Sequence, residues 1–66
     1  MTILTIEQAA EFLQLSKSQL YTLTRARSRA RMPLPIPVIR LNSNLRFSKE
    51  SLIIWLQKME ETGGDQ

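Results

Sequence analysis

Residues 5–21 read Thr5-Ile6-Glu7-Gln8-Ala9-Ala10-Glu11-Phe12-Leu13-Gln14-Leu15-Ser16-Lys17-Ser18-Gln19-Leu20-Tyr21. The stretch holds the same signal twice. Thr5 with Gln8 three residues on is a capping box, and Ser16 with Gln19 is another. After the first box, Ile6, Ala9, Ala10 and Leu13 recur at helical spacing, and Glu7 sits in the first turn, where the helix dipole favours an anion. This predicts a helix over 6–14. After the second box, Leu20, Leu23 and Tyr21 form the apolar side of a helix over about 17–27. Gln14 and Leu15 lie between them. Two capped helices joined so closely form a helix-turn-helix arrangement. Ala9, Ala10, Leu15 and Leu20 are its inward residues, the alanines small enough to let the helices approach.

Working outward, Arg27-Ser28-Arg29-Ala30-Arg31 leads into Met32-Pro33-Leu34-Pro35-Ile36-Pro37. Three alternating prolines forbid a helix and push the preceding residues toward extended geometry. The segment reads as an ordered extended arm or a linker. The arm is favoured because Leu34 and Ile36 need cover. Val38-Ile39-Arg40-Leu41 and Leu45-Arg46-Phe47 then flank Asn42-Ser43-Asn44. The flanks alternate and the middle is turn chemistry. A three-residue tip predicts a hairpin pairing Leu41 with Leu45, Arg40 with Arg46 and Ile39 with Phe47. That register puts the four apolar residues on one face and both arginines on the other. Like charges set opposite each other are destabilising, so the register implies an anion between them. Ser48 caps a last helix over about 49–61 with an apolar stripe of Leu52, Trp55, Leu56 and Met59. The expected organisation is one domain over 1–61 and a flexible tail over 62–66.

Size and composition bound what such a chain does. Its 66 residues are 42% hydrophobic and include neither Cys nor His. A domain this small buries about 60% of the surface its unfolded chain exposes. Disulfides, thiolate chemistry and imidazole chemistry are excluded, and no metal site or cofactor is expected. The carboxylates lie near the chain ends, and the glycines, Gly63 and Gly64, build no phosphate loop, so no catalytic constellation emerges. No apolar run approaches the length of a membrane span. Met1-Thr2-Ile3-Leu4 lacks the basic region of a signal peptide, so a cytoplasmic protein is expected.

The formal charge of +3 conceals its distribution. Residues 1–11 hold Glu7 and Glu11 and no base. Residues 12–49 hold Lys17, Arg25, Arg27, Arg29, Arg31, Arg40, Arg46 and Lys49 and no acid, a local +8. Residues 50–66 return to −3. A concentrated basic block suits a polyanion, because each phosphate contact releases condensed counterions. Three surfaces present it. In a helix-turn-helix the start of the second helix meets base edges in the major groove, which here means Ser16, Lys17, Ser18, Tyr21, Thr22 and Arg25. Ser16 is equally a structural cap, Lys17 a phosphate contact alone, Gln19 a member of the capping box alone, and Tyr21 a core residue whose hydroxyl reaches a phosphate from the rim. The hairpin offers Arg40, Asn42, Ser43, Asn44 and Arg46, as a wing does, or as an ordinary solvated hairpin. The third surface is the ladder of Arg25, Arg27, Arg29 and Arg31, or equally a solvated linker. Trp55, at helical spacing, reads as core rather than a stacking platform.

The ordered set of Thr5 to Leu13, Leu15 to Tyr21, Pro35 to Leu41, Leu45 to Phe47 and Leu52 to Leu56 resembles the excisionase family. These are small MerR-like winged-helix proteins of phage excisionase and AlpA type. The resemblance covers about residues 4–58. It implies a mainly α fold with a small β-hairpin, in the order helix-turn-helix, wing, helix. It also implies binding to double-stranded DNA, with the second helix in the major groove and the wing in the adjacent minor groove. Excisionases bend DNA beside an attachment site, associate cooperatively on it and recruit a tyrosine integrase. AlpA-type members regulate transcription of prophage or mobile-element genes. By position, Ser16, Lys17, Ser18, Thr22 and Arg25 match the recognition helix, and Arg40, Asn42, Asn44 and Arg46 match the wing. Many members carry Gly where this chain has Gln14 and Asn42-Ser43-Asn44, and segment 26–34 is longer and richer in Arg than the usual link. No membrane and no small-molecule substrate is expected. Apart from the regulator, the rival reading is a module docking on an acidic protein partner.

Overall fold

Both capping boxes form. Thr5 Oγ1 accepts from the Gln8 N–H and the Gln8 side chain accepts from the Thr5 N–H, at 3.2 and 3.0 Å. Ser16 and Gln19 repeat the exchange at 3.1 and 2.9 Å. They open α1 (Ile6–Leu13) and α2 (Lys17–Thr24). Gln14 ends α1 in the left-handed region, at φ 58° and ψ 42°. Its N–H donates to the Glu11 carbonyl and that of Leu15 to the Ala10 carbonyl, at 3.1 and 2.8 Å. This is a Schellman motif, the usual way to satisfy the last carbonyls of a helix. Three residues, Gln14 to Ser16, therefore turn the chain, and Ala9, Ala10 and Leu20 close on one another with at most 4% exposure.

The computed structural model describes residues 1–63, with side chains through residue 61. Besides α1 and α2, these form β1 (Ile3–Leu4), α3 (Ala26–Arg31), β2 (Ile39–Leu41), β3 (Asn44–Ser48) and α4 (Lys49–Gly63). α4 runs to Gly63, two residues into the tail expected over 62–66, and the rest of that tail lies outside the described residues. The three strands make an antiparallel sheet in the order β1-β3-β2. Phe47, Leu20, Ile36 and Leu52 are fully buried between the sheet and the helices. Burying side chains of this size contributes about 1.5–3 kcal/mol each.

Three expectations are corrected. First, α2 stops at Thr24 rather than running to 27. Arg25 is extended at φ −70° and ψ 144°, and the chain then re-enters a helix over Ala26–Arg31. The arginine-rich stretch is thus helical where an extended arm was expected. Arg and Ala are good helix formers. The prolines bar a helix only from Met32 on, which sits before Pro33 at φ −87° and ψ 130°.

Second, the hairpin register is shifted by one. Ile39 pairs with Arg46, Arg40 with Leu45 and Leu41 with Asn44. Arg40 and Arg46 therefore lie on opposite faces, and the anion implied between them has no basis. The loop has two residues, Asn42 and Ser43, with Asn42 at φ 58°. Two-residue loops fit the twist of paired strands, and a one-residue slip turns every side chain over. Phe47 and Leu45 keep the inner face, while Ile39 and Leu41 leave it. The third correction explains why that is tolerated. Residues 3 and 4 form an additional strand, not expected from sequence, and Leu4 lies opposite Phe47. Leu4 supplies the apolar neighbour that the hairpin alone was expected to provide.

The proline segment behaves as an ordered arm, with Ile36 fully buried. Prolines supply no N–H, so the carbonyls here take side-chain donors. The Trp55 indole N–H donates to the Leu34 carbonyl at 2.9 Å, and the Arg29 guanidinium donates to the Ile36 carbonyl. Ser48 caps α4, its Oγ accepting from the Ser51 N–H at 3.2 Å. Within the expected stripe of α4, Leu52 is buried and Trp55 half-buried against the core. Leu56 and Met59 remain 40% exposed, because the helix outruns the core.

Candidate nucleic-acid interface

The outer side of α2 follows from the burial of its inner side. With Leu20 and Thr24 buried, Ser18, Tyr21, Thr22 and Arg25 face outward, and Ser16 and Lys17 stand exposed at the helix start. Ser18, Thr22 and Arg25 follow the i, i+4, i+7 spacing of one helical stripe. Thr22 Oγ1 donates to the Ser18 carbonyl at 3.0 Å. The Ser16 hydroxyl is committed to the cap. Lys17 Nζ lies 3.9 Å from Glu7 Oε1, with both side chains exposed. Such surface pairs are worth little, so Lys17 is readily released to another anion. Tyr21 is 44% exposed and stands outside the core, contrary to its placement on the apolar side of the helix.

The helical form of 26–31 sorts its arginines. Arg27 and Arg31, four apart, share an exposed face, while Arg29 lies on the opposite side, half-buried, with its guanidinium on Ile36. Arg31 is thereby a better-exposed cation than Arg29. The i, i+4 spacing pointed to it, but only for a helical segment. An extended chain would have put Arg27, Arg29 and Arg31 on one side.

The wing arginines are similarly divided. Arg40 shares a sheet face with Leu45 and Phe47, and although the residue remains exposed near the hairpin's end, its Nη2 donates to the Thr24 carbonyl at 2.9 Å. Arg46 is half-buried on the outer face and donates to its neighbour's carbonyl, that of Leu45, at 2.8 Å. Asn42, Ser43 and Asn44 form the exposed tip. Of the candidate residues, then, the structure brings together the end of α2, α3 and the base of the wing. Lys49, the last cation of the basic block, stands 5.7 Å above the Phe12 ring, a cation–π distance. Among the described residues, no group of three metal-ligating side chains is placed to hold an ion, and no helix is long and apolar enough to cross a membrane.

Two helices across a tight turn, a strand hairpin after them and a covering helix define a winged helix-turn-helix domain. The family model of the helix-turn-helix domain matches residues 3–60, and the chain belongs to that family of small DNA-binding domains, which includes excisionase-like proteins. No curated protein and no solved structure matches the chain at a significant level.

Proposed function

We propose that this protein binds double-stranded DNA sequence-specifically and acts as an excisionase, a directionality factor for site-specific recombination. It inserts α2 into the major groove and lays the wing along the adjacent minor groove. The observation that carries this reading is the exposed stripe of Ser18, Thr22 and Arg25 at α2, with Arg27 and Arg31 exposed on α3 next along the chain, within a stretch that holds no acid. Arg25 is the residue best suited to read a guanine bidentately, and Ser18 and Thr22 to bond to bases or phosphates. Lys17, Arg27, Arg31 and Arg46 meet phosphates, and Asn42, Ser43 and Asn44 enter or flank the minor groove. The protein performs no bond chemistry. It positions and bends DNA.

A module of this size reads few base pairs, so selectivity comes from neighbours on the DNA. Ile53, Ile54, Leu56 and Met59 are exposed around α4, and these apolar side chains support a protein contact as well as a DNA contact. A tyrosine integrase or an adjacent copy of this chain is the occupant in this reading. Those exposed apolar side chains favour a recruiting factor over a regulator of AlpA type that acts alone.

A gel shift against competitor DNA at rising salt tests DNA binding. With about four phosphate contacts, log K falls against log salt with a slope of about −3.6, a loss of about 150-fold between 50 and 200 mM. No shift at low salt removes the reading. Arg25→Ala costs about 1–3 kcal/mol and relaxes the sequence preference. A variant that binds every site as before removes α2 as the reading element. A footprint with and without integrase then separates excisionase from regulator, since protection that integrase leaves unchanged contradicts recruitment.

A further inference from the structure

The last turn of α2 contains no basic residue. Helix ends leave carbonyls without partners and carry partial negative charge. Here three of them are met, each differently. The Tyr21 carbonyl accepts from Thr24 Oγ1 at 2.8 Å and the Thr22 carbonyl from the Arg25 N–H at 3.3 Å. The Thr24 carbonyl accepts from Arg40, which stands on β2, 16 residues along the chain. Thr24 itself is 4% exposed. Among the described residues this is the one hydrogen bond between α2 and the wing strands. It also crosses the insertion of α3 and the proline segment, the long route by which the chain otherwise connects them. Arg40 reaches it because the observed register turns its side chain to the inner face, beside Leu45 and Phe47.

We infer that Arg40 is a positioning residue: it clamps the wing to the end of the recognition helix and so sets the spacing at which the two enter adjacent grooves. This rests on the proposed DNA binding. Arg40 acts through geometry and Thr24, not by neutralising a phosphate. Its loss therefore lowers discrimination between sites and leaves the electrostatic part of binding intact.

The test uses the full chain and two duplexes, one selected by the wild-type protein from a random library and its scrambled counterpart. Arg40→Met keeps the stem and removes the donors. The ratio of selected to scrambled affinity is expected to fall about tenfold, while the slope of log K against log salt stays that of the wild type. A slope reduced by about 0.9, the signature of one lost phosphate contact, overturns the assignment whatever the ratio does, and an unchanged ratio overturns it too. If Arg40→Met does not fold, Arg40→Thr decides by the same readouts, because it suits a strand and is too short to reach the Thr24 carbonyl. A lower ratio at constant slope supports the clamp, and wild-type behaviour overturns it. A second measurement needs no DNA. The chain has no Cys, so spin labels on Ser18→Cys and Ser43→Cys report the distance from α2 to the wing tip in the free protein. Its distribution should broaden in the Arg40 variant, and an unchanged width overturns the clamp. If the wild type shifts no duplex, the DNA reading fails, and this distance alone judges Arg40.

Discussion

Replacing Gln14 by glycine should stabilise the protein, and the magnitude follows from one dihedral angle. Gln14 sits at φ 58° and ψ 42°, as the residue that closes α1. A side chain with a Cβ is held in the left-handed region at a cost of about 1–2 kcal/mol. Glycine removes that cost but gives the unfolded chain more freedom, which returns about 0.5–1 kcal/mol. The balance is a gain of about 0.5–1 kcal/mol. The backbone bonds of the turn, from Gln14 and Leu15 to Glu11 and Ala10, involve no Gln14 side-chain atom and survive the change. In a domain this small, a gain of that size raises Tm by about 2–8 °C. Thermal melts followed by circular dichroism measure it. Urea titrations should show the same gain as a higher midpoint with unchanged slope. An equal or lower Tm would refute the reasoning, because it would mean that the turn carries no left-handed strain. DNA affinity should be unaffected, since Gln14 lies outside the proposed contacts.

Leu20 is fully buried between the alanines of α1 and the rest of the core. Leu20→Ala should cost about 2–5 kcal/mol, against a total of about 3–10 kcal/mol for a chain of this length. Loss of the cooperative melt is expected, and a near-normal Tm would contradict the core described here. The Thr2 N–H donates to both Glu50 carboxylate oxygens, at 2.9 and 3.2 Å, and that backbone bond holds the Glu50 carboxyl below its ordinary value of 4.5. A lowered folded pKa gives stability that is present above the unfolded value and lost as pH falls through the folded one. Glu50→Gln should therefore melt below the wild type at pH 7, with the gap closing in acid below the ordinary value. A gap independent of pH contradicts this. Arg27→Gln and Arg31→Gln should each reduce the salt slope of DNA binding by about 0.9, and equal slopes would take α3 out of the interface.

The local signals were legible because they are short-range. Each capping box needs residues three apart, and both formed as expected. Asn42, favoured for its tolerance of left-handed geometry, takes φ 58°. Ile36 and Leu34, apolar between prolines, called for cover; Ile36 is fully buried and Leu34 half-buried. The arginines were the opposite case. Their number and clustering were plain, but which guanidinium faces solvent depends on the helical turn of α3 and on the carbonyls offered by Ile36 and Thr24. No sequence spacing carries that. Tyr21 was uncertain for a related reason, since amphipathic side chains sit on either side of a helix boundary.

Residue order alone was enough to specify two capped helices in tandem, a turn chemistry between two strands, a capped last helix and a basic block free of acids. These rest on contacts a few residues long or on composition. The tertiary structure alone decided the register of the hairpin and the third strand. Pairing Leu4 with Phe47 joins chain segments more than forty residues apart, and burial of Phe47 then chooses which face of each strand turns inward. It also supplied a partner at the end of α2, where Arg40 arrives from the wing to hold the Thr24 carbonyl. The same charge that composition assigned to a polyanion is thereby divided between cations that make no such bond and two arginines, Arg29 and Arg40, that also hold backbone carbonyls of the fold.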